Sequence, residues 1–203
     1  MNWQELSALL VLASAMSFTP GPNTTLSTAL AANRGLRHAL PFVFAVPLGW
    51  SALLLVCALG LGALLLAVPL LAWAVKLIGV VYLLWLAWKL SQTRQLGEAD
   101  DANLSVGFWQ GVALQFVNIK AWMLALAIVS GWIAGHADPA QRLMVVVPVM
   151  MAYAFASNLL YALAGSLLRN WLTGPAGTGQ RLKWFNRSMA LILVVTALWM
   201  LTL

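Results

Sequence analysis

The sequence predicts an all-α integral membrane protein with six transmembrane helices in a single domain. Of its 203 residues, 63% are hydrophobic and only 8% are charged, and the mean hydropathy is +0.89. A water-soluble domain has about 25% charged residues, so this chain requires the lipid bilayer as its surroundings. The net charge of +6 comes from basic residues that lie mostly in short loops between apolar runs. That placement indicates membrane topology and not a nucleic-acid partner.

The first predicted span runs from Leu6 to Ala31 and is broken near its middle by the segment TPGPN at residues 19–23. Each proline lacks an N–H and crowds the carbonyl four residues before it, and the residue before a proline avoids the α region. Lipid offers no hydrogen bonds, so such backbone is tolerated at membrane depth only inside protein or beside a cavity. We therefore predict a broken first helix whose second half begins near Pro22 and aims N–H groups at a small zwitterion. The alternative is a proline kink that neighbouring helices satisfy.

The second and third spans come from the uncharged stretch 39–75 and its continuation to Trp88, with a turn near residues 67–69. Pro41 suits the start of the second span, and Pro47 suits a kink inside it. Residues 89–105 form the most hydrophilic segment, which predicts a solvated loop.

The remaining apolar runs predict a fourth span from Phe108 to Ile133, a fifth from Leu143 to Leu168 and a sixth from Trp184 to Leu203. Glycines four residues apart, at 107 and 111 and again at 131 and 135, favour close helix packing inside the bundle. A homodimer built on these glycines is the alternative.

The fourth span contains a second polar interruption. Lys120 lies twelve residues after Phe108, which is about 18 Å of helix and near the middle of a hydrocarbon core about 30 Å thick. A lysine there costs about 3 kcal/mol on insertion scales and normally faces the protein interior. Gln115 and Asn118 are close enough in sequence to share its cavity. The alternative is that Lys120 extends to the cytoplasmic surface.

The predicted substrate-binding residues are helix-breaking or polar residues from these two interruptions. They are Pro20, Gly21, Pro22, Asn23, Gln115, Asn118 and Lys120. Secondary candidates are the other polar side chains within spans: Lys76, Tyr82 and Asn158. For Lys76 a structural and a functional role are both open, and Asn158 is of the type that commonly bonds another helix.

The distribution of basic residues predicts the orientation. Eight of the eleven Lys and Arg residues fall in loops one to two, three to four and five to six, so these loops are expected in the cytoplasm and both termini outside. The first residues lack the basic region of a signal peptide, so the first span is expected to be retained. Six spans divide into halves 1–97 and 98–203, and with three spans each the halves insert as inverted repeats.

The sequence lacks residues that several other functions would require. None of the spans contains Asp or Glu, so a proton-coupled mechanism must titrate Lys120, His38, a boundary acid or the substrate. The single cysteine, Cys57, disfavours a transmembrane thiol or electron carrier, and the scarcity of ligands disfavours an ion exporter. No HExxH or GxSxG motif is present, so neither an enzyme nor a cofactor or metal site is expected.

The chain resembles the lysine exporter and homoserine/threonine efflux superfamily of bacterial amino-acid exporters over nearly its whole length, and three segments carry the resemblance. They are TPGPN at 19–23, KLIGVVYLLWLAWK at 76–89 and NIKAW at 118–122. ALQFVNIK at 113–120, WLAWK at 85–89 and ALAG at 162–165 are most similar to its cysteine and O-acetylserine efflux branch. The family typically has proline where this chain has Ile119, which leaves a break in the fourth span open, and it often has an acid where this chain has Asn23.

The resemblance implies a gradient-driven exporter in the bacterial inner membrane that carries small amino acids, and we expect alternating access. In this hypothesis the broken first span binds the substrate backbone and Lys120 binds its carboxylate. Asn23, Gln115 and Asn118 then bond its amino and side-chain groups.

Overall fold

The computed structural model describes residues 1–93, 105–174 and 179–202, and this part of the chain folds into helices joined by short turns. The helix bounds are α1 Trp3–Phe18, α2 Pro22–Arg34, α3 Leu36–Ala58, α4 Leu61–Ala67, α5 Pro69–Gln92, α6 Phe108–Val117, α7 Ile119–Ile128, α8 Pro139–Thr173 and α9 Gln180–Thr202. A π-helical turn, Val129–Ile133, continues α7.

Among the described residues, four helices are long and apolar enough to cross a membrane, namely α3, α5, α8 and α9. Helices α6 and α7, bent by 69° relative to each other, make a fifth span when they are counted together. These five correspond to the second through sixth predicted spans and make the chain a multi-pass membrane protein. Length and composition do not identify the first predicted span, because it is divided between α1, of 16 residues, and the more polar α2.

The break between α1 and α2 lies where the sequence predicts it. Thr19 (φ −69°, ψ 130°) and Gly21 (φ −171°, ψ −175°) are both extended, and α2 begins at Pro22. The Tyr161 hydroxyl donates to the Phe18 carbonyl at 3.0 Å and so replaces the bond that Pro22, which has no N–H, cannot make. The broken first helix is therefore stabilised by a neighbouring span.

The fourth span is also broken, although no proline stands in it. Asn118 (φ −90°, ψ 99°) separates α6 from α7. Trp122 donates its indole N–H to the Phe116 carbonyl at 2.8 Å. The Val117 carbonyl lies so close to Gly79 of α5 that a Cβ at position 79 would collide with its oxygen. The break thus leaves two carbonyls without helical partners: that of Phe116 accepts a hydrogen bond from the Trp122 indole, and that of Val117 fits into the space beside Gly79.

The two halves of the first span differ in burial. Helix α2 buries eleven of its thirteen residues and packs on α8, α3 and α9, whereas α1 buries only Leu9 and Ala13 of its sixteen. At the end of α2, the side-chain amides of Asn33 and Asn186 bond each other at 2.8 and 2.9 Å. Asn186 also donates to the Thr93 carbonyl at 3.0 Å. Helix α2 is therefore the centre of the bundle, and α1 is its loosely attached continuation.

One expectation about the second span was wrong. Pro41 does not start the helix, because α3 begins at Leu36 and contains Pro41. Gly35, with φ 86°, is the whole connection between α2 and α3, so the new helix starts without a longer loop. An additional break at Gly60 (φ 93°) begins the short α4. The predicted turn near residues 67–69 is confirmed at Val68 (φ −115°, ψ 93°).

The predicted hydrophilic loop begins later than expected. Residues 89–92 belong to the last turn of α5, because the helix continues past the predicted end of the third span. Most of the loop, residues 94–104, lies outside the described residues.

A polar cluster joins α1 to the start of α8. The Arg142 guanidinium is 2.9 Å from Asp138 and 3.2 Å from Glu5, and it donates to the Trp132 carbonyl at 3.3 Å. Trp132 in turn donates its indole N–H to the Glu5 carbonyl at 2.8 Å. The hydrogen bond from Arg142 lowers the pKa of Asp138. Arg142, in the first turn of α8, therefore links α8 to α1.

Candidate substrate-binding site

The two helix breaks border one cavity of about 70 Å³. Its walls come from α1, α2, α3, α7 and α8 and from the two breaks. The lining residues are Met16, Ser17, Thr19, Gly21, Pro22, Asn23, Thr24, Val46, Trp50, Asn118, Lys120, Ala121, Leu124, Met150, Ala154, Ser157 and Asn158.

Lys120 is the ionisable residue of this lining. A Cβ built on Gly21 would be 3.4 Å from the Lys120 Nζ and 3.8 Å from its Cδ, so the ammonium lies against the break in the first span. The carboxylates that the structure describes, Glu5 and Asp138, both pair with Arg142. The Lys120 ammonium therefore lies beside the cavity without a described counter-ion.

Two helix N-termini reinforce this positive charge. Helix α2 begins at Pro22 and α7 begins at Ile119, both at the cavity. The first N–H groups of a helix lack partners within it, and its N-terminus carries about half a positive charge. Together with Lys120 they form a place suited to a carboxylate.

The end of α1 supplies the opposite polarity. Met16 and Ser17 line the cavity, and their carbonyls are among the last four of α1, which lack partners within the helix. A helix would pair the Met16 carbonyl with the N–H of residue 20, but Pro20 has no N–H. It would pair the Ser17 carbonyl with the N–H of Gly21, but that N–H donates to the Thr24 hydroxyl at 3.0 Å. Carbonyl oxygens at a helix C-terminus attract an ammonium group.

Asn23 is held in place by an amide pair with Gln115. The Asn23 Nδ2 donates to the Gln115 Oε1 at 2.9 Å, and the Gln115 Nε2 donates back at 3.1 Å. Gln115 is fully buried and also donates to the Gly111 carbonyl at 3.0 Å. Gln115 does not line the cavity, so it orients Asn23 and joins the first span to the fourth.

Two lining side chains have buried polar atoms without a hydrogen-bond partner among the described residues: the Asn118 Oδ1 and the Trp50 Nε1. Asn158, in contrast, is satisfied, because it accepts from the Ser27 hydroxyl at 2.8 Å and donates to the Ala154 carbonyl at 2.8 Å. Sequence reasoning missed Trp50, since it lies within a long uncharged stretch of α3 and carries no helix-breaking or strongly polar signal. Its place at the cavity depends on how α3 is rotated.

The other predicted site residues lie elsewhere. Pro20 is exposed and does not line the cavity. Lys76 lies over the ring of Trp73, 5.2 Å from its centre. Tyr82 stacks on Trp85 with ring centres 5.7 Å apart, and both line a shallow apolar groove on α5.

Cys57, the residue considered for thiol chemistry, lies away from the cavity as a free thiol buried in the core. Within the described ranges, no three His, Cys, Asp or Glu side chains come together as a metal site would require.

Comparison with known proteins identifies relatives of the chain. The profile of the LysE type translocator family matches residues 14–203. Three similar curated proteins are each named cysteine/O-acetylserine efflux protein. The one from Escherichia coli O1:K1 is 30% identical over 169 residues, covering 81% of this chain and 84% of the relative. Those from Klebsiella pneumoniae and Salmonella typhimurium are 29% and 28% identical over 164 residues, covering 81% of this chain and 83% and 84% of the relatives. No solved structure matches the chain significantly.

Proposed function

Since this chain belongs to the LysE type translocator family, we propose that it exports small neutral amino acids across the bacterial inner membrane. The names of its relatives, cysteine/O-acetylserine efflux proteins, support a substrate of that kind. Threonine and homoserine are similar in size and charge. Transport uses the energy of an ion gradient, and the protein is not an enzyme.

The observation that carries this proposal is the Lys120 ammonium, which lies without a described counter-ion beside a cavity between two broken helices. In a low-dielectric interior an ammonium without a counter-ion is costly. A substrate carboxylate supplies that counter-ion, and the N-termini of α2 and α7 add N–H groups around it. The substrate ammonium then faces the carbonyl end of α1, near Met16 and Ser17.

The lining also favours one class of side chain. Among the described residues that line the cavity, none is Asp or Glu and Lys120 alone is charged, so a second positive charge on the substrate is repelled. Apolar walls from Val46, Leu124 and Met150 suit a short side chain. Because one water-sized position takes about 10–15 Å³, a cavity of about 70 Å³ holds about five to seven atoms. Cysteine and serine, with seven non-hydrogen atoms, match that size better than O-acetylserine or lysine, which have ten, so the positive charge of Lys120 and not size is what disfavours lysine relative to O-acetylserine.

The topology we propose has six spans arranged as two inverted halves. Helices α1 and α2 form the first span. In the described part of the chain, spans at equivalent positions in the two halves pack against each other. The second span contacts the fifth, the third contacts the sixth, and each broken span contacts the middle span of the other half. The basic loops favour a topology with both termini outside, in which α1 lies towards the outside and α2 towards the cytoplasm.

The unequal packing of these half-helices supports transport by alternating access. Helix α2, with its buried Asn33–Asn186 amide pair, closes the cytoplasmic side, and the sparsely packed α1 opens the outer side. Proton antiport is the form of coupling we propose, with Lys120 or the substrate amine as the group that titrates.

The test is counterflow in proteoliposomes loaded with the 20 amino acids in turn and with O-acetylserine, with and without a pH gradient. Lys120→Met removes the ammonium group but keeps an unbranched side chain one atom shorter, and we expect it to abolish exchange. Lys76→Met, a lysine of the third span away from the cavity, is the matched control and should retain exchange. Normal exchange by a folded Lys120→Met protein would remove the assignment.

A further inference from the structure

We propose that Trp50 is a specificity-determining residue, whose indole N–H bonds an acceptor on the substrate's side chain. This inference rests on the proposed export of small amino acids and adds a contact to it. Trp50 lies on α3, one helical turn after Val46, and both residues line the cavity.

The indole N–H of Trp50 is unusual in this protein. It is buried and has no hydrogen-bond partner among the described residues. Two other indoles do have partners: Trp122 donates to the Phe116 carbonyl and Trp132 to the Glu5 carbonyl, both at 2.8 Å. A buried tryptophan normally finds a partner for this group, because a lost hydrogen bond there destabilises the fold. Trp50 lines the cavity, so a ligand bound there can supply the missing hydrogen-bond acceptor.

The position of Trp50 assigns its partner to the substrate's side chain and not to the carboxylate. The carboxylate is already attracted to Lys120 and to the starts of α2 and α7. The wall around Trp50 is apolar, with Val46 and Met150 beside the same cavity. The polar groups of α8 are engaged, since the Ser157 hydroxyl and the Asn158 amide both donate to the Ala154 carbonyl. The Trp50 N–H is therefore a buried donor beside this apolar wall that has no described partner, and it is available to a side-chain oxygen or sulfur.

A site built around a buried donor rejects an analogue that lacks the acceptor. We therefore expect a preference for serine over 2-aminobutyrate, which replaces the hydroxyl with a methyl group and has the same number of non-hydrogen atoms. A hydrogen bond of ordinary net strength corresponds to a difference of about 5- to 10-fold in apparent affinity.

The experiment measures the apparent affinities for serine and 2-aminobutyrate by counterflow, in the wild type and in Trp50→Phe. Phenylalanine keeps an aromatic ring but removes the donor. We expect the affinity for serine to fall about 5- to 10-fold and that for 2-aminobutyrate to change less than about 2-fold. Thermal unfolding in detergent should show that the variant remains folded.

Ser51→Ala is the matched control. The Ser51 hydroxyl is also buried without a described partner, but Ser51 does not line the cavity, so its loss should leave the affinity ratio unchanged. Equal losses for both substrates in Trp50→Phe, or no loss for either, would overturn the proposal. A wild type that exchanges neither amino acid nor any other would instead overturn the proposed function, so the two failures are distinguishable.

Discussion

At the scale of single residues, the net charge of the cavity depends on two residues of its lining. Lys120 provides the positive charge beside Gly21, and Asn23 provides an uncharged amide fixed by Gln115. An amide at position 23 leaves the site with one net positive charge. A carboxylate at the same position would neutralise it and alter which substrates fit.

Asn23→Asp is therefore expected to change charge selectivity. At an effective dielectric constant of about 20, unit charges about 8 Å apart interact by about 2 kcal/mol. We expect the affinity for 2,4-diaminobutyrate relative to homoserine, which is similar in size but lacks the side-chain charge, to rise about 10- to 30-fold. Counterflow with the two compounds measures this ratio. Asn23→Leu removes the amide without adding a charge and should not raise it; an equal rise in both variants would contradict the electrostatic explanation.

At the scale of helices, the sequence predicted the first break correctly and left the second open. Two prolines and a glycine strongly disfavour a continuous helix at residues 19–23, so local chemistry was enough to predict a break there. The break at Asn118 depends on tertiary contacts, from the Trp122 indole and the space at Gly79. The role of Trp50 likewise depends on helix rotation, which one sequence does not reveal.

The geometry at Asn118 predicts that a proline is tolerated at position 119. Asn118 is already extended, as the residue before a proline prefers, and Ile119 is the first residue of α7, where no helical N–H bond is lost. Proline raises the free energy of unfolding by about 0.4–1 kcal/mol, because it restricts the unfolded chain. Its side chain has one carbon fewer than that of isoleucine, and the loss of that buried carbon lowers the free energy of unfolding by about 0.8 kcal/mol.

We therefore expect Ile119→Pro to unfold in detergent within about 1 kcal/mol of the wild type. Ala125→Pro, in the interior of the same helix, should lose about 3 kcal/mol or more. Thermal unfolding of both variants decides the matter. A loss in Ile119→Pro as large as that in Ala125→Pro would show that the break in the fourth span does not have the described geometry.

At the scale of the whole molecule, the two ends of the first span are held in different ways. Helix α2 is surrounded by protein and tied by buried amides, whereas α1 buries two residues and is otherwise held by a few polar contacts, among them the ion pair of Glu5 with Arg142. Composition predicted a membrane bundle, but it could not predict this asymmetry. Arg142 and Glu5 are 137 residues apart, and their pairing exists only in the folded bundle.

If α1 moves against α8 during transport, a link between them should stop the cycle. In a Cys57→Ala background, Glu5→Cys with Arg142→Cys places two thiols at the ion pair that joins α1 to α8. A flexible, reducible bifunctional thiol reagent should arrest counterflow, and reduction should restore it. Asp138→Cys with Arg142→Cys, a pair four residues apart at the start of α8, takes up the same reagent and loses the same arginine without restraining α1. Continued transport in the cross-linked Glu5 variant, with cross-linking verified by mass, would mean that α1 stays on α8 throughout and that the outer opening forms elsewhere.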